Sequence, residues 1–171
     1  DERLACAKAG LGVLGDNGLL LTKEYGSFVF LGEVFCDLTP EEFGACPAKE
    51  VPGCLHCGAC KEACPCHFSD CASGIGQKKG VLTAEEEELV LKTGLVWGCD
   101  LCQTRCPLNR SAKRTSVPFF QSDLLVYLDR QTFLGLTKEQ FRRRAFAWRG
   151  KATILRNLAL FEKAGLLQDR L

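Results

Sequence analysis

The chain has 171 residues, of which 46% are hydrophobic and 25% charged, and its formal net charge is +1. This is the composition of a globular protein and not of a disordered one. No stretch approaches the roughly 20 apolar residues needed to span a bilayer, and no signal-peptide pattern is present. Twelve cysteines would mark a disulfide framework in a small secreted chain, whereas in a reducing cytoplasm such a count reads as metal binding. The near-neutral balance gives no bulk support for nucleic-acid binding, which leaves only local patches.

Residues 1–9 are expected to form a short amphipathic helix, with Leu4 and Ala5 on its apolar side and Gly10 ending it. There is no methionine in the sequence, and the helix begins without a leader, so the chain reads as a fragment of a longer protein. Glycines follow at 10, 12, 15 and 18. Such density means positive φ or a close backbone approach. It is compatible equally with a tight turn leading into a strand and with a loop against a cofactor. The match to GxGxxG at 10–15 is weak, because no strand precedes it.

Residues 26–35 (GSFVFLGEVF) are apolar on both faces and predict a buried strand. Thr39 followed by Pro40 is a helix start, with Thr39 as N-cap and Pro40 at the first helical position. Region 46–107 holds most of the cysteines and predicts two short helices. One follows Leu55, and the other opens at the capping box Thr83-x-x-Glu86. The acidic run 85–88 reads as a solvated helix N-terminus stabilised by the macrodipole. Beyond Pro107 helical periodicity takes over. Thr137 and Gln140 form a further capping box, and 151–163 is an amphipathic helix with Ile154, Leu158 and Phe161 on one face, ended by Gly165.

The strongest signal is Cys54-x2-Cys57-x2-Cys60-x3-Cys64-Pro65, the bacterial ferredoxin spacing, in which three cysteines ligate one cluster and the fourth belongs to another. Closely spaced thiolates wrap one face of a cubane, while the cysteine before proline points away. Cys99-x2-Cys102-x3-Cys106-Pro107 completes the pattern. Cys54, Cys57, Cys60 and Cys106 are assigned to the first 4Fe-4S cluster, and Cys64, Cys99 and Cys102 to the second. The last ligand of the second is Cys71 or Cys66. Cys71 is preferred, because Cys66 lies two residues from Cys64 across a proline and crowds it. Zinc ribbons also use Cys-x2-Cys pairs, but the triple spacing and both Cys-Pro closures favour clusters. Cys6, Cys36 and Cys46 have no partner at metal spacing and are expected to be buried small hydrophobes. His56 and His67 are read as surface imidazoles, with hydrogen bonding to cluster sulfur as the alternative.

These segments, AGLGVLGDNGLL, GSFVFLGEVFCDL, CLHCGACKEACP, GCDLCQTRCPLN and FRRRAFAWRGKATILRNLAL in that order, resemble the epoxyqueuosine reductase family, cobalamin-dependent iron–sulfur enzymes related to reductive dehalogenases. The resemblance implies reductive removal of an epoxide oxygen from epoxyqueuosine in tRNA, with electrons passing from an external low-potential donor through two 4Fe-4S clusters to cobalamin. It implies that Gly10, Gly12, Gly15, Asn17 and Gly18, together with Gly26, Ser27 and Phe28, lie against the corrin. No Asp-x-His-x-x-Gly motif is present, in keeping with the family's unligated lower corrin face. The family has a preceding N-terminal domain that carries a proposed proton-donating carboxylic acid. Asp1 does not align with that acid, so the catalytic group is unassigned. Where the family loop commonly has Trp and Lys, Val13 and Asp16 stand here, and the segment between Cys64 and Cys71 is shortened.

The expected architecture is α+β, with three consecutive parts. Residues 1–45 form a glycine-rich α/β segment from a cobalamin-binding domain. Residues 46–110 form a ferredoxin-like double-cluster core, and 111–171 form C-terminal helices. A cytoplasmic monomer with no membrane contact is expected. Arg142, Arg143, Arg144, Arg149, Lys151 and Arg156, with Trp148 among them and Lys113 and Arg114 upstream, suit either an RNA backbone or a solvated helix face. The competing readings are a ferredoxin-like electron carrier and a corrinoid reductase acting on a small molecule.

Overall fold

The computed structural model describes residues 1–44 and 53–167. Helix α1 spans Glu2–Lys8, and its N-cap Asp1 accepts a hydrogen bond from the Arg3 backbone N–H. Strands β1 (Val13–Leu14) and β2 (Leu20–Leu21) pair antiparallel, with Val13 opposite Leu21 and Leu14 opposite Leu20. Short helices follow: α2 Pro40–Phe43, α3 Ala59–Ala63, α4 Ala72–Gly76, α5 Ala84–Lys92 and α6 Leu101–Thr104. After them come α7 Arg130–Gly135, α8 Lys138–Arg142 and α9 Lys151–Lys163. The chain is thus mostly helical with one small two-stranded sheet.

The chain divides into two compact units, each discontinuous in sequence. One comprises Asp1–Ala63 with Leu101–Pro118, and the other Cys64–Asp100 with Phe119–Leu171. This division cuts across the expected consecutive parts 1–45, 46–110 and 111–171. Two of its three boundaries fall inside the cysteine-rich stretch, between Ala63 and Cys64 and between Asp100 and Leu101, and the third lies between Pro118 and Phe119.

In the first unit α3 packs against α6, and α1 packs against the hairpin. The hairpin is why glycines recur. A Cβ at Gly12 would meet the Leu21 carbonyl oxygen at 2.5 Å, and Gly18 holds φ +73°. The segment forms a tight turn between two paired strands. On α1 the buried residue is Cys6, whereas Leu4 and Ala5 are exposed, which corrects the expected apolar side. The expected strand over 26–35 is not formed. Residues 28–36 have no regular structure, and Phe30, Val34 and Phe35 are each 90% exposed. A strand requires a neighbour to complete its ladder, and among the described residues the only sheet is β1–β2. Cys36 lies on this exposed stretch and is itself exposed, contrary to the expectation of burial, while Cys6 is buried. Cys46 falls outside the described residues.

The second unit has two apolar clusters. One gathers Cys66, Ala72, Ile75, Leu82, Val90, Leu160 and Phe161. The other joins Phe133, Phe146, Ile154 and Leu158. Helix α9 supplies both, as its i, i+4, i+7 pattern predicts. Asn157, fully buried on the same helix, donates to the carbonyls of Gly76 (3.0 Å) and Val96 (2.9 Å). All three sequence-predicted caps form. Thr39, Thr83 and Thr137 each accept from the third helical N–H, and Glu42, Glu86 and Gln140 reach back. The Glu86 carboxyl, held by Lys78 and the Thr83 backbone, sits below its ordinary pKa.

Phe133 has no exposed surface and meets the rings of Phe141 and Phe146 at 6.0 and 5.9 Å. Truncating it removes the centre of that cluster. Phe133→Ala is expected to cost about 3–5 kcal/mol, read as a lowered urea midpoint with an unchanged denaturant slope.

Candidate metal centre

The first unit contains an open cleft of about 290 Å³ lined by Cys54, Cys57, Cys60 and Cys106, with Asp16, Leu55, Gly58, Pro107 and Leu108 completing its wall. The local backbone explains the convergence. His56 and Gly58 both take left-handed conformations, φ +49° and +77°, so the chain curls between Cys54 and Cys60 and presents three side chains to one side. The Gly58 carbonyl then accepts from Lys61 N and Glu62 N and starts α3. At the other motif α6 ends as Cys106 N donates to the Gln103 carbonyl (3.1 Å). Cys106 is extended and Pro107 opens a tight 3₁₀ turn, which points the cysteine out of the helix.

The spacing of these thiols decides what could occupy the cleft. In a tetrahedral zinc site with bonds of about 2.3 Å, the sulfurs stand about 3.8 Å apart. Among the described residues, the only group of three or more ligand atoms lying within 4.8 Å of one another is Asp16, Cys54 and His56. No three of the four cysteines meet that limit, although all four line one cleft. Close spacing of thiolates suits a single metal ion, and a wider ring suits a polynuclear iron–sulfur core. Burial pushes the Cys60 thiol above its ordinary pKa. The backbone N–H groups of Lys61 and Cys60 oppose this, and the charges of Asp16 and Cys106 add to it. Iron bound there would oppose this rise by supplying positive charge.

The remaining cysteines are distributed as follows. Cys102 lies on α6 in the first unit, whereas Cys64, Cys66, Cys71 and Cys99 lie in the second. Cys64 and Cys99 pack at the edge of the apolar cluster that contains Cys66. Cys66 is 5% exposed. Its thiol pKa is raised first by burial and then by the charges of Cys64, Cys71, Cys99 and Asp70. Cys71 is exposed and stands at the N-cap of α4.

The expected corrin residues separate into two groups. Gly10, Gly12, Gly15, Asn17 and Gly18 build the hairpin, where Asn17 Oδ1 accepts from Leu19 N at 3.2 Å. Gly26 and Ser27 are buried against Asn109, whose side chain accepts from Ser27 N (2.8 Å) and donates to Ser27 Oγ (2.8 Å) and the Gln103 carbonyl (2.8 Å). Phe28 is half exposed. Asp16, at the hairpin tip, is the cleft residue that sequence reasoning missed. No spacing rule links position 16 to 54–60. His56 is exposed as expected, but its Nδ1 lies 2.8 Å from Asp16 Oδ1.

A mostly helical chain in which four cysteines line one cleft beside a glycine hairpin has the donor set of a metal-binding protein. No family model matches the chain. An epoxyqueuosine reductase of Lactococcus garvieae is 36% identical to it over 169 residues, which span 89% of this chain and 46% of the relative. One of Pseudomonas aeruginosa is 33% identical, spanning 93% and 47%. Among solved structures, the epoxyqueuosine reductase of Streptococcus thermophilus superposes with a TM-score of 0.69 at 29% identity, covering 93% of this chain and 44% of that one. A selenomethionine-labelled epoxyqueuosine reductase gives 0.70 at 28%, covering 94% and 45%. The chain belongs to the epoxyqueuosine reductase family and spans about half the length of the relatives it matches.

The support beneath the cleft is directly testable at Gly26. There φ is +56°, and an added Cβ would sit 2.0 Å from Asn109 Oδ1. Gly26→Ala is expected to lose about 2–4 kcal/mol through backbone strain and the displaced hydrogen bonds. Gly18→Ala, with only a positive φ and an arginine tip at 3.4 Å, should lose about 1–2 kcal/mol. Urea denaturation of both variants measures the difference.

Proposed function

We propose that this chain is the cluster-bearing part of an oxidoreductase that reduces epoxyqueuosine to queuosine in tRNA. The observation that carries the reading is the ring of Cys54, Cys57, Cys60 and Cys106 around one cleft. Similarity to epoxyqueuosine reductases supports the choice of substrate. In this reading those four residues hold the first 4Fe-4S cluster, in a ferredoxin-like double-cluster core. Cys64, Cys71, Cys99 and Cys102 hold the second, an assignment that rests on their sequence spacing. Bound cobalamin would supply the reductive chemistry at the substrate, with electrons from an external low-potential donor.

The chain's own residues have simpler tasks. The two cysteine loops set the ligand positions, Pro107 and Leu108 exclude water from one side of the cleft, and the glycine hairpin allows close backbone approach. The preference for Cys71 over Cys66 is supported by burial. Cys66 is packed in hydrocarbon, where an ionised thiolate is disfavoured, whereas Cys71 is exposed.

Contact with tRNA is supported by part of the basic cluster only. Arg142, Arg143 and Lys151 are exposed, and Trp148 is 64% exposed with the Arg149 guanidinium 4.2 Å from its ring centroid. An aromatic face with neighbouring guanidinium groups suits a stacked base and a phosphate. Arg144 is committed to Asp123 at 3.0 Å. Arg156 is occupied by the carbonyls of Gly76, Lys78 and Gly80. Among the described residues, no helix is long and apolar enough to cross a membrane.

Anaerobically reconstituted protein should bind about eight irons per chain, and four or fewer would sink the two-cluster reading. Cys71→Ala should disturb the second cluster's paramagnetic signal, whereas Cys66→Ala should retain all the iron. For the substrate, the full-length protein carrying Cys102→Ala should lose conversion of epoxyqueuosine in tRNA, measured by nucleoside analysis. Unchanged conversion would overturn the role of the second cluster.

A further inference from the structure

Among the described residues, Asp16 is the one carboxylate in the wall of the four-cysteine cleft. It comes from the hairpin tip, remote in sequence from both cysteine motifs. Its charge acts on Cys60, and its Oδ1 lies 2.8 Å from Nδ1 of His56, which sits between the ligand positions Cys54 and Cys57. The ligand-capable atoms of Asp16, Cys54 and His56 fall within 4.8 Å of one another. The carboxylate is therefore beside the thiolates, and its side chain is 39% exposed.

We propose that Asp16 sets the reduction potential of the cluster held by Cys54, Cys57, Cys60 and Cys106, making it a stronger reductant by placing a fixed negative charge against it. The inference rests on the cluster assignment above. Reduction adds one electron to a core already surrounded by four thiolates. A neighbouring carboxylate raises the electrostatic cost of that electron, so the equilibrium moves toward the oxidised form and the reduced form gives its electron up more readily. Partial exposure screens the effect but does not cancel it. Asp16 is a positioning and tuning residue on this view and not a ligand, because Oδ1 is engaged by the imidazole. His56 in turn holds the hairpin tip against the ligand loop.

The test is a redox titration of the reconstituted chain followed by electron paramagnetic resonance, comparing the native protein with Asp16→Asn and Asp16→Ala. Asparagine keeps an oxygen for His56 and removes only the charge, whereas alanine removes both. If charge is the cause, both variants should shift the reduction equilibrium of one cluster toward the reduced form by about threefold to tenfold, tenfold being about 59 mV for one electron. The other cluster should not move. An unchanged midpoint in Asp16→Asn, with a shift only in Asp16→Ala, would mean that Asp16 acts through the His56 hydrogen bond and would overturn the proposal. Loss of half the iron in Asp16→Asn would make the residue an assembly element and overturn it equally. Failure of the native chain to take up two clusters would instead refute the cluster assignment, so the two failures are distinguishable.

Discussion

Asn109 is the residue on which the geometry of the first unit depends. Its amide accepts from the Ser27 backbone and donates to Ser27 Oγ and to the Gln103 carbonyl, so it joins a turn near position 26 to the end of α6. Ser27 Oγ in turn donates to Gln103 Oε1 at 2.8 Å. The network is buried, and a buried amide must satisfy its donors and acceptor or pay for their desolvation. Gly26 is glycine because a side chain would occupy the place of the Asn109 oxygen. Cys106 lies three residues earlier, and its carbonyl accepts from Asn109 N. What positions the fourth cysteine of the cleft is therefore a polar network and not an apolar core.

The other side of the cleft is shaped by backbone conformation. A loop that turns three thiols to one side within seven residues needs left-handed φ values, and His56 and Gly58 provide them. His56 carries the steric cost of that conformation, and its Asp16 partner helps hold it there. Burial, with smaller contributions from the charges of Asp16 and Cys106, holds the Cys60 thiol above its ordinary pKa. A metal bound there would favour the thiolates by its positive charge. Its binding and folding would then be coupled, as is general where ligands must lose protons to bind.

The second unit is organised differently. Helix α9 packs Ile154, Leu158 and Phe161 inward and carries Asn157 among them, tying the ends of α4 and the segment near Val96 through their carbonyls. Arg156 beside it caps three further carbonyl contacts, at Gly76, Lys78 and Gly80. A sequence-level basic patch is thereby split. Arg144 and Arg156 serve the fold, while Arg142 and Arg143 are exposed and Arg149 lies over Trp148.

Local rules carried much of this in the sequence alone. The three threonine caps, the face of α9 and the ferredoxin spacing were legible, because each depends on residues within a turn or two of one another. The order of motifs also identified the family. Tertiary structure alone decided the rest. The apolar segment 26–35 reads as a strand from its composition, yet a strand exists only with a neighbour, and the described residues supply none. The glycines at 12 and 26 are explained by atoms of Leu21 and Asn109 that no pattern places beside them. Asp16 reached the cysteine cleft by hairpin geometry. Spacing grouped the cysteines along the sequence, and only long-range packing set Asp16 beside four of them.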